Sequence, residues 1–206
     1  MKKTRLNARM LISALLMAVL LISASSCNRK DTEPEPVPDT ADAQEKGSKV
    51  IVVYFSYTGN TKTLAQYIAE ETDADTYEII AKDPYTEDDT RYDEDTRAYK
   101  EQSDPDCRPE IDGQLPDLSG YEIVFVGYPI WHGQAPKIVY TFLENVELAG
   151  KTVIPFCTSA ESPVGNSAKN LEPLAPEANW QEGVRLEIDM TQDDISKWII
   201  SLYASK

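Results

Sequence analysis

In Lys49-Val50-Ile51-Val52-Val53-Tyr54-Phe55, every side chain after Lys49 is β-branched or aromatic. A strand apolar on both faces cannot stand at a wet sheet surface. It requires a parallel sheet covered by helices on both sides. The chain then repeats the unit. Residues 61–71 place Leu64, Ala65 and Ile68 on one helical face. Residues 76–81 read as a second strand and 121–127 as a third. A helix opens at Pro136, a residue suited to a first helical position, with Ile138, Val139, Phe142 and Leu143 as its stripe. Residues 151–157 read as a fourth strand, in which Pro155 lacks a ladder donor. A short helix at 166–174, a weaker fifth strand at 183–188 and a helix at 191–203 complete the chain. Thr191 and Asp194 are placed to cap that last helix. The alternation predicts an α/β fold, a three-layer open sheet of five parallel strands in one domain at 49–206.

The first 48 residues do not belong to this rhythm. Residues 1–26 carry four bases, Lys2, Lys3, Arg5 and Arg9, and no acid, followed by an apolar run from Met10 to Ala24. This is the layout of a signal peptide, too short for a membrane span of about 20 apolar residues. Small residues at 23–26 precede Cys27, as at a bacterial lipoprotein cleavage site. Cys27 is therefore the expected lipidated residue, holding the protein at a membrane of the cell envelope. Residues 28–48, with Pro34, Pro36 and Pro38 among acids, read as a flexible tether. No Arg-Arg pair precedes the apolar run, so the chain is expected to cross unfolded and meet any cofactor outside the cytoplasm.

Charge divides the same way. The chain of 206 residues has 20 Lys plus Arg, 35 Asp plus Glu and a net charge of −15, which becomes −19 without the leader. That acidity excludes nucleic acid as the main partner, because phosphate backbones need a Lys/Arg surface. Three cysteines and one histidine make neither a disulfide scaffold nor a zinc pattern. Twelve acids lie between Asp83 and Asp112, against Arg91, Arg97, Lys100 and Arg108. This stretch reads as a solvated excursion with a helix near 90–102. It stands apart from the loops described next, and is either a plain solvated face or an acidic rim that disfavours anionic ligands or recruits a basic partner.

In open parallel sheets, ligands sit beyond the carboxyl ends of strands at the topological switch. Three such ends carry unusual residues. Ser56-Tyr57-Thr58-Gly59-Asn60-Thr61 follows strand one, and its hydroxyls and helix-start amides suit a phosphate or a plain cap. No P-loop lysine is present, so a nucleoside triphosphate with magnesium is not expected. Pro129-Ile130-Trp131-His132-Gly133 follows strand three and can set Trp131 beside a flat ring. Thr158, Ser159 and Gly165 lie in the polar loop after strand four.

Together, Ser-x-Thr-Gly-x-Thr, Gly-Tyr-Pro-Ile-Trp and Phe-Cys-Thr-Ser at these ends resemble the flavodoxin-like family of FMN proteins. The resemblance spans roughly 49–203 and implies the strand order 2-1-3-4-5 with FMN at the sheet edge. It implies that Ser56, Thr58, Gly59, Asn60 and Thr61 hold the phosphate. Pro129, Ile130, Trp131, His132 and Gly133 then flank the ring, and Thr158, Ser159 and Gly165 line its other edge. His132 is either a proton donor to reduced flavin or a passive loop residue, and no other catalytic residue is indicated. One departure matters: relatives with this third loop read Thr-Ser-Gly-Gly-Ser-x-x-Gly, whereas here Ala160 and Glu161 replace the two glycines. Either the loop tolerates FMN poorly, with Glu161 adding a charge against a reduced anionic ring, or the loop has rearranged with FMN retained.

The resemblance implies electron transfer, as a simple carrier or as an oxidoreductase passing hydride from NAD(P)H to a quinone. The alternative is a non-redox binding protein using the same pocket. Cys107 and Cys157 are able to pair in an oxidising compartment, although Cys157, on a buried strand, is expected to be a packed free thiol.

Overall fold

A computed structural model of the protein describes residues 49–204. The leader at 1–26, Cys27 and the tether at 28–48 lie outside the described residues. In chain order the elements are β1 (Val50–Tyr54), α1 (Asn60–Thr72), β2 (Asp75–Glu78), α2 (Glu87–Thr90), α3 (Arg97–Ser103), β3 (Ile123–Pro129), α4 (Lys137–Glu144), β4 (Thr152–Thr158), a 3-10 turn at Glu172–Leu174, β5 (Asn179–Trp180), β6 (Val184–Leu186) and α5 (Gln192–Ala204).

Strand pairing runs β2-β1-β3-β4-β5, with β6 also on β4, and every pair is parallel. This is the flavodoxin-like order 2-1-3-4-5. The pleat of β1 divides the core. Val50, Val52 and Tyr54 pack with Leu64 and Ile68 of α1 and with Ile195 and Ile199 of α5. Ile51 and Val53 point the other way, with Ile138, Val139 and Phe142 of α4. Two buried faces are what the unbroken apolar run demanded.

The fifth strand position is split, and Pro155 explains where. Alternate residues of a parallel strand direct their polar groups to opposite neighbours. Thr152 N–H donates to Glu122 O on the β3 side, while Val153 O accepts from Gln181 N on the outer side. Pro155 therefore faces outward with Val153 and has no N–H to give. The outer ladder breaks opposite it, with β5 ending at Trp180 and β6 beginning at Val184.

Other elements depart from the sequence reading. The helix expected near 90–102 is two short helices. Thr96 Oγ1 donates to Asp93 O at 2.6 Å and accepts from Tyr99 N–H, which starts a new helix there. Thr86 and Asp89 form a capping box for α2. The helix expected at 166–174 is a series of turns ending in the 3-10 turn, where Pro173 cannot supply a helical donor. Pro136 caps α4 rather than opening it. At α5, Thr191 and Asp194 bond reciprocally, Thr191 Oγ1 donating to Asp194 Oδ2 at 2.7 Å and accepting from Asp194 N–H at 3.4 Å. Donation from the Thr191 hydroxyl, then from the Thr191 N–H and Lys197, holds the Asp194 carboxyl down at about 2.

Candidate functional site

The carboxyl ends of β1, β3 and β4 lie side by side, so the three loops that follow them meet at one edge of the sheet. Backbone bonds tie them: Phe55 N–H to Gly127 O, and Ile130 N–H to Thr158 O, both 2.9 Å. Side chains add a third tie, since the buried hydroxyls of Thr61 and Thr158 are 2.8 Å apart. Both are among the residues expected at the ligand, and their hydroxyls also join the first and third loops.

The first loop leads into a helix with no side-chain cap. Gly59 takes φ 91 at the N-cap, a left-handed conformation that disfavours any Cβ. The first helical bond is Thr63 N–H to Gly59 O, so the amides of Asn60, Thr61 and Lys62 precede the ladder. Thr58 and Asn60 are exposed beside them. The Ser56 hydroxyl is buried without a hydrogen-bond partner among the described residues. Lys62 is held by Glu78 at 2.7 Å, and Tyr54 OH also donates to Glu78 at 3.2 Å. Burial, then the Glu78 charge, pushes the Tyr54 hydroxyl up to about 12. Attraction for an anion here comes from the 13-residue helix and its orphan donors.

The second loop turns tightly. Trp131 and Gln134 exchange both backbone bonds, and His132 and Gly133 between them have φ 47 and 79. Two consecutive positive φ values define a type I′ turn, for which Gly133 is apt and which His132 enters as one of the few non-glycine residues found there with any frequency. Trp131 sits edge-on to Phe55 at 5.4 Å, Tyr57 at 6.3 Å and Tyr85 at 4.8 Å. Pro129, Ile130 and Trp131 are all half-buried.

Tyr85 belongs to the acidic excursion, and here the sequence reading needs correction. The excursion does not stand apart from the loops; it is an arm folded onto the second one. Gln102 Nε2 donates to Trp131 O and Ala135 O, both at 3.0 Å. Tyr92 stacks on His132 with centroids 4.8 Å apart, and Tyr99 meets the same imidazole edge-on at 5.2 Å. The arm is braced internally: Tyr85 OH donates to Glu101 at 2.6 Å, Arg97 Nε to Glu101 at 2.7 Å, and the Arg97 guanidinium lies 4.2 Å above the Tyr85 ring. Sequence reasoning missed Tyr85, Tyr92, Tyr99 and Gln102. The available signal was three tyrosines at seven-residue intervals in a segment otherwise fit for solvent. Burial holds the His132 pKa below its ordinary value, so the imidazole is neutral at neutral pH.

In the third loop, Gly165 has φ 51, whereas neither Ala160 nor Glu161 takes a left-handed conformation. The strain expected from replacing two glycines is therefore absent, and the loop follows a path that L-residues accept. The Ser159 hydroxyl closes the loop onto Ser162 O. Arg185 Nη2 donates to Ala160 O at 3.2 Å. Cys157 is buried, its thiol pushed up to about 12 by desolvation, and it is a free thiol, as is half-buried Cys107. A cleft of about 330 Å³ between Lys82, Glu110 and Thr141 involves none of the three loops.

An uncapped helix start, an aromatic cluster and a polar loop at the switch of a doubly wound sheet define a protein built to hold a flat, phosphorylated ligand. The flavodoxin family model matches residues 49–202, and the chain belongs to that family. Among solved structures, one from Bacteroides uniformis, assigned as a flavoprotein, is 39% identical with a TM-score of 0.71, covering 75% of this chain and 99% of its own. Another so assigned, from Bacteroides eggerthii, is 39% identical with a TM-score of 0.71, covering 78% of this chain and 100% of its own. A flavoprotein from Lactobacillus acidophilus in complex with FMN is 24% identical with a TM-score of 0.54, covering 74% of this chain and 99% of its own. No curated protein matches the sequence.

Proposed function

We propose that this protein binds FMN and transfers electrons while held at the bacterial envelope by a lipid on Cys27. The observation that carries the reading is the juxtaposition at one sheet edge of the uncapped α1 terminus with the Trp131 cluster. The Lactobacillus protein of similar fold, in complex with FMN, supports it. Bound FMN supplies the redox chemistry, accepting and releasing electrons at its ring. The chain supplies the rest. Thr58, Asn60 and the orphan amides of α1 hold the phosphate, with the unpartnered Ser56 hydroxyl as a further donor. Pro129, Ile130 and Trp131 give the ring an apolar wall. Tyr92 and Tyr99 hold His132 at the tip of the second loop as a neutral imidazole able to pass a proton. The protein acts either as a carrier or as an oxidoreductase taking hydride from NAD(P)H and reducing a quinone.

Titrating FMN into the purified protein tests this. Quenching of flavin fluorescence and a visible spectrum retained after desalting are expected. Thr58→Ala and Asn60→Ala each weaken binding by about tenfold, the worth of a hydrogen bond to a charged group. Trp131→Ala shifts the flavin spectrum and potential. Absence of quenching with the parent protein excludes the flavin reading, and steady-state NAD(P)H oxidation with quinone separates reductase from carrier. For the anchor, Cys27→Ser moves the protein from the membrane fraction to the soluble one; retention of the variant on membranes argues against lipidation.

A further inference from the structure

We propose that Arg185 is a positioning residue for the third loop and makes this site hold reduced FMN more tightly than the loop alone would. The inference rests on the FMN reading above.

Relatives place two glycines where this chain has Ala160 and Glu161, and neither residue adopts a left-handed backbone. Something else must direct the peptide groups of this loop. The Ala160 carbonyl accepts from Arg185 Nη2 at 3.2 Å. Arg185 reaches it from β6, where its register partner is Cys157 at the end of β4. No peptide bond among the described residues is cis. Across a trans peptide the C=O and the next N–H point in opposite directions. Holding the Ala160 carbonyl toward Arg185 therefore turns the Glu161 N–H away from it. That N–H has no acceptor among the described residues. The loop thus presents a backbone donor without needing glycine.

Arg185 also brings a fixed charge. Its side chain is 22% exposed and pairs with Glu187 through Nη2. Its Nε is buried with no hydrogen-bond partner among the described residues, so one donor of the fork is uncommitted. A guanidinium stays protonated at any working pH. A cation beside this loop favours a ring that gains negative charge on reduction, and opposes the exposed Glu161 carboxylate.

The test measures the affinity of the full protein for oxidised FMN and, without oxygen, for dithionite-reduced FMN. Arg185→Gln is expected to weaken reduced FMN at least tenfold more than oxidised FMN, lowering the two-electron potential by about 30 mV for each tenfold. Arg185→Lys keeps the charge but not the fork. It weakens both forms while holding their ratio within about threefold of the parent. Equal loss of both forms in Arg185→Gln, or no loss, overturns the proposal. Should Arg185→Gln lack a thermal unfolding transition, Glu187→Gln decides. Removing the counter-charge tightens reduced relative to oxidised FMN several-fold, and an unchanged ratio overturns the proposal. A parent protein that binds neither form overturns the FMN reading and this proposal with it; a parent that binds both, with unresponsive variants, overturns this proposal alone.

Discussion

Gly127→Ala is expected to destabilise the protein by about 2–3 kcal/mol, the upper part of the range for overpacking a core. Gly127 lies in the middle of the sheet, paired with Tyr54 on β1 and Phe156 on β4. A Cβ there would stand 2.2 Å from Phe156 Cζ and within 2.8 Å of both Cε atoms. Phe156 is fully buried, so the ring has nowhere to withdraw. The glycine is needed because an aromatic ring lies across its backbone. Thermal unfolding should show a melting temperature lower by roughly 5–10 °C for a chain of this size. Adding Phe156→Leu to the variant should recover part of the loss, because the clash is with that ring. Unchanged melting of the single variant would mean that the Phe156 ring does not lie across Gly127.

Glu101→Ala is expected to release the acidic arm. One carboxylate oxygen accepts from Arg97 and the other from Tyr85, whose ring is both under the Arg97 guanidinium and against Trp131. Glu101 is 12% exposed and Arg97 25%. Removing the acid strands a buried hydroxyl and leaves the Arg97 guanidinium with Asp83 as its remaining carboxylate partner at 3.0 Å, at a local cost of about 2 kcal/mol after allowance for solvent around Arg97. Hydrogen exchange across residues 85–103 should accelerate roughly thirty-fold, while the β1 and β3 amides keep their protection. Trp131 fluorescence should change with it, and FMN affinity should fall, since Gln102 no longer grips the second loop firmly. Glu101→Gln keeps one acceptor and should lose less. Exchange rates equal to those of the parent would show that the arm is held by other contacts.

Both results concern features that pattern reading reaches unequally. The apolar run at 49–55 specified a doubly covered parallel strand, because burial on two faces leaves no polar position to alternate. Leu64, Ala65 and Ile68 fixed the buried face of α1 by helical spacing alone. The loop motifs were legible because they join a strand end to a helix start, where capping residues and free amides follow local rules. The split of the fifth strand was half legible: Pro155 announced a missing donor, but only the pairing of neighbours showed which side of β4 would lose it.

The site shows the same division more sharply. Ser56, Thr58 and Gly59 are placed by their own loop, so their neighbourhood could be read from sequence. Thr61 and Thr158, 97 positions apart, were each read as ligand contacts, and nothing local announced that their hydroxyls also meet each other. Ala160 and Glu161 were read either as a poorer loop for FMN or as a rearranged one; neither residue is left-handed, and the Ala160 carbonyl accepts from Arg185. Tyr85, Tyr92, Tyr99 and Gln102 gave no periodic signal strong enough to outweigh twelve surrounding acids. The sequence by itself determined the layers and the edge at which the loops gather, because burial period, parallel crossovers and capping act over a few residues, while the strand order came only with the family resemblance of the loop motifs. Tertiary structure alone decided that the acidic excursion closes onto Trp131 and His132 and that Arg185 reaches the Ala160 carbonyl of the third loop. Those contacts join residues 25 to 46 positions apart, and local periodicity carries no information about such pairs.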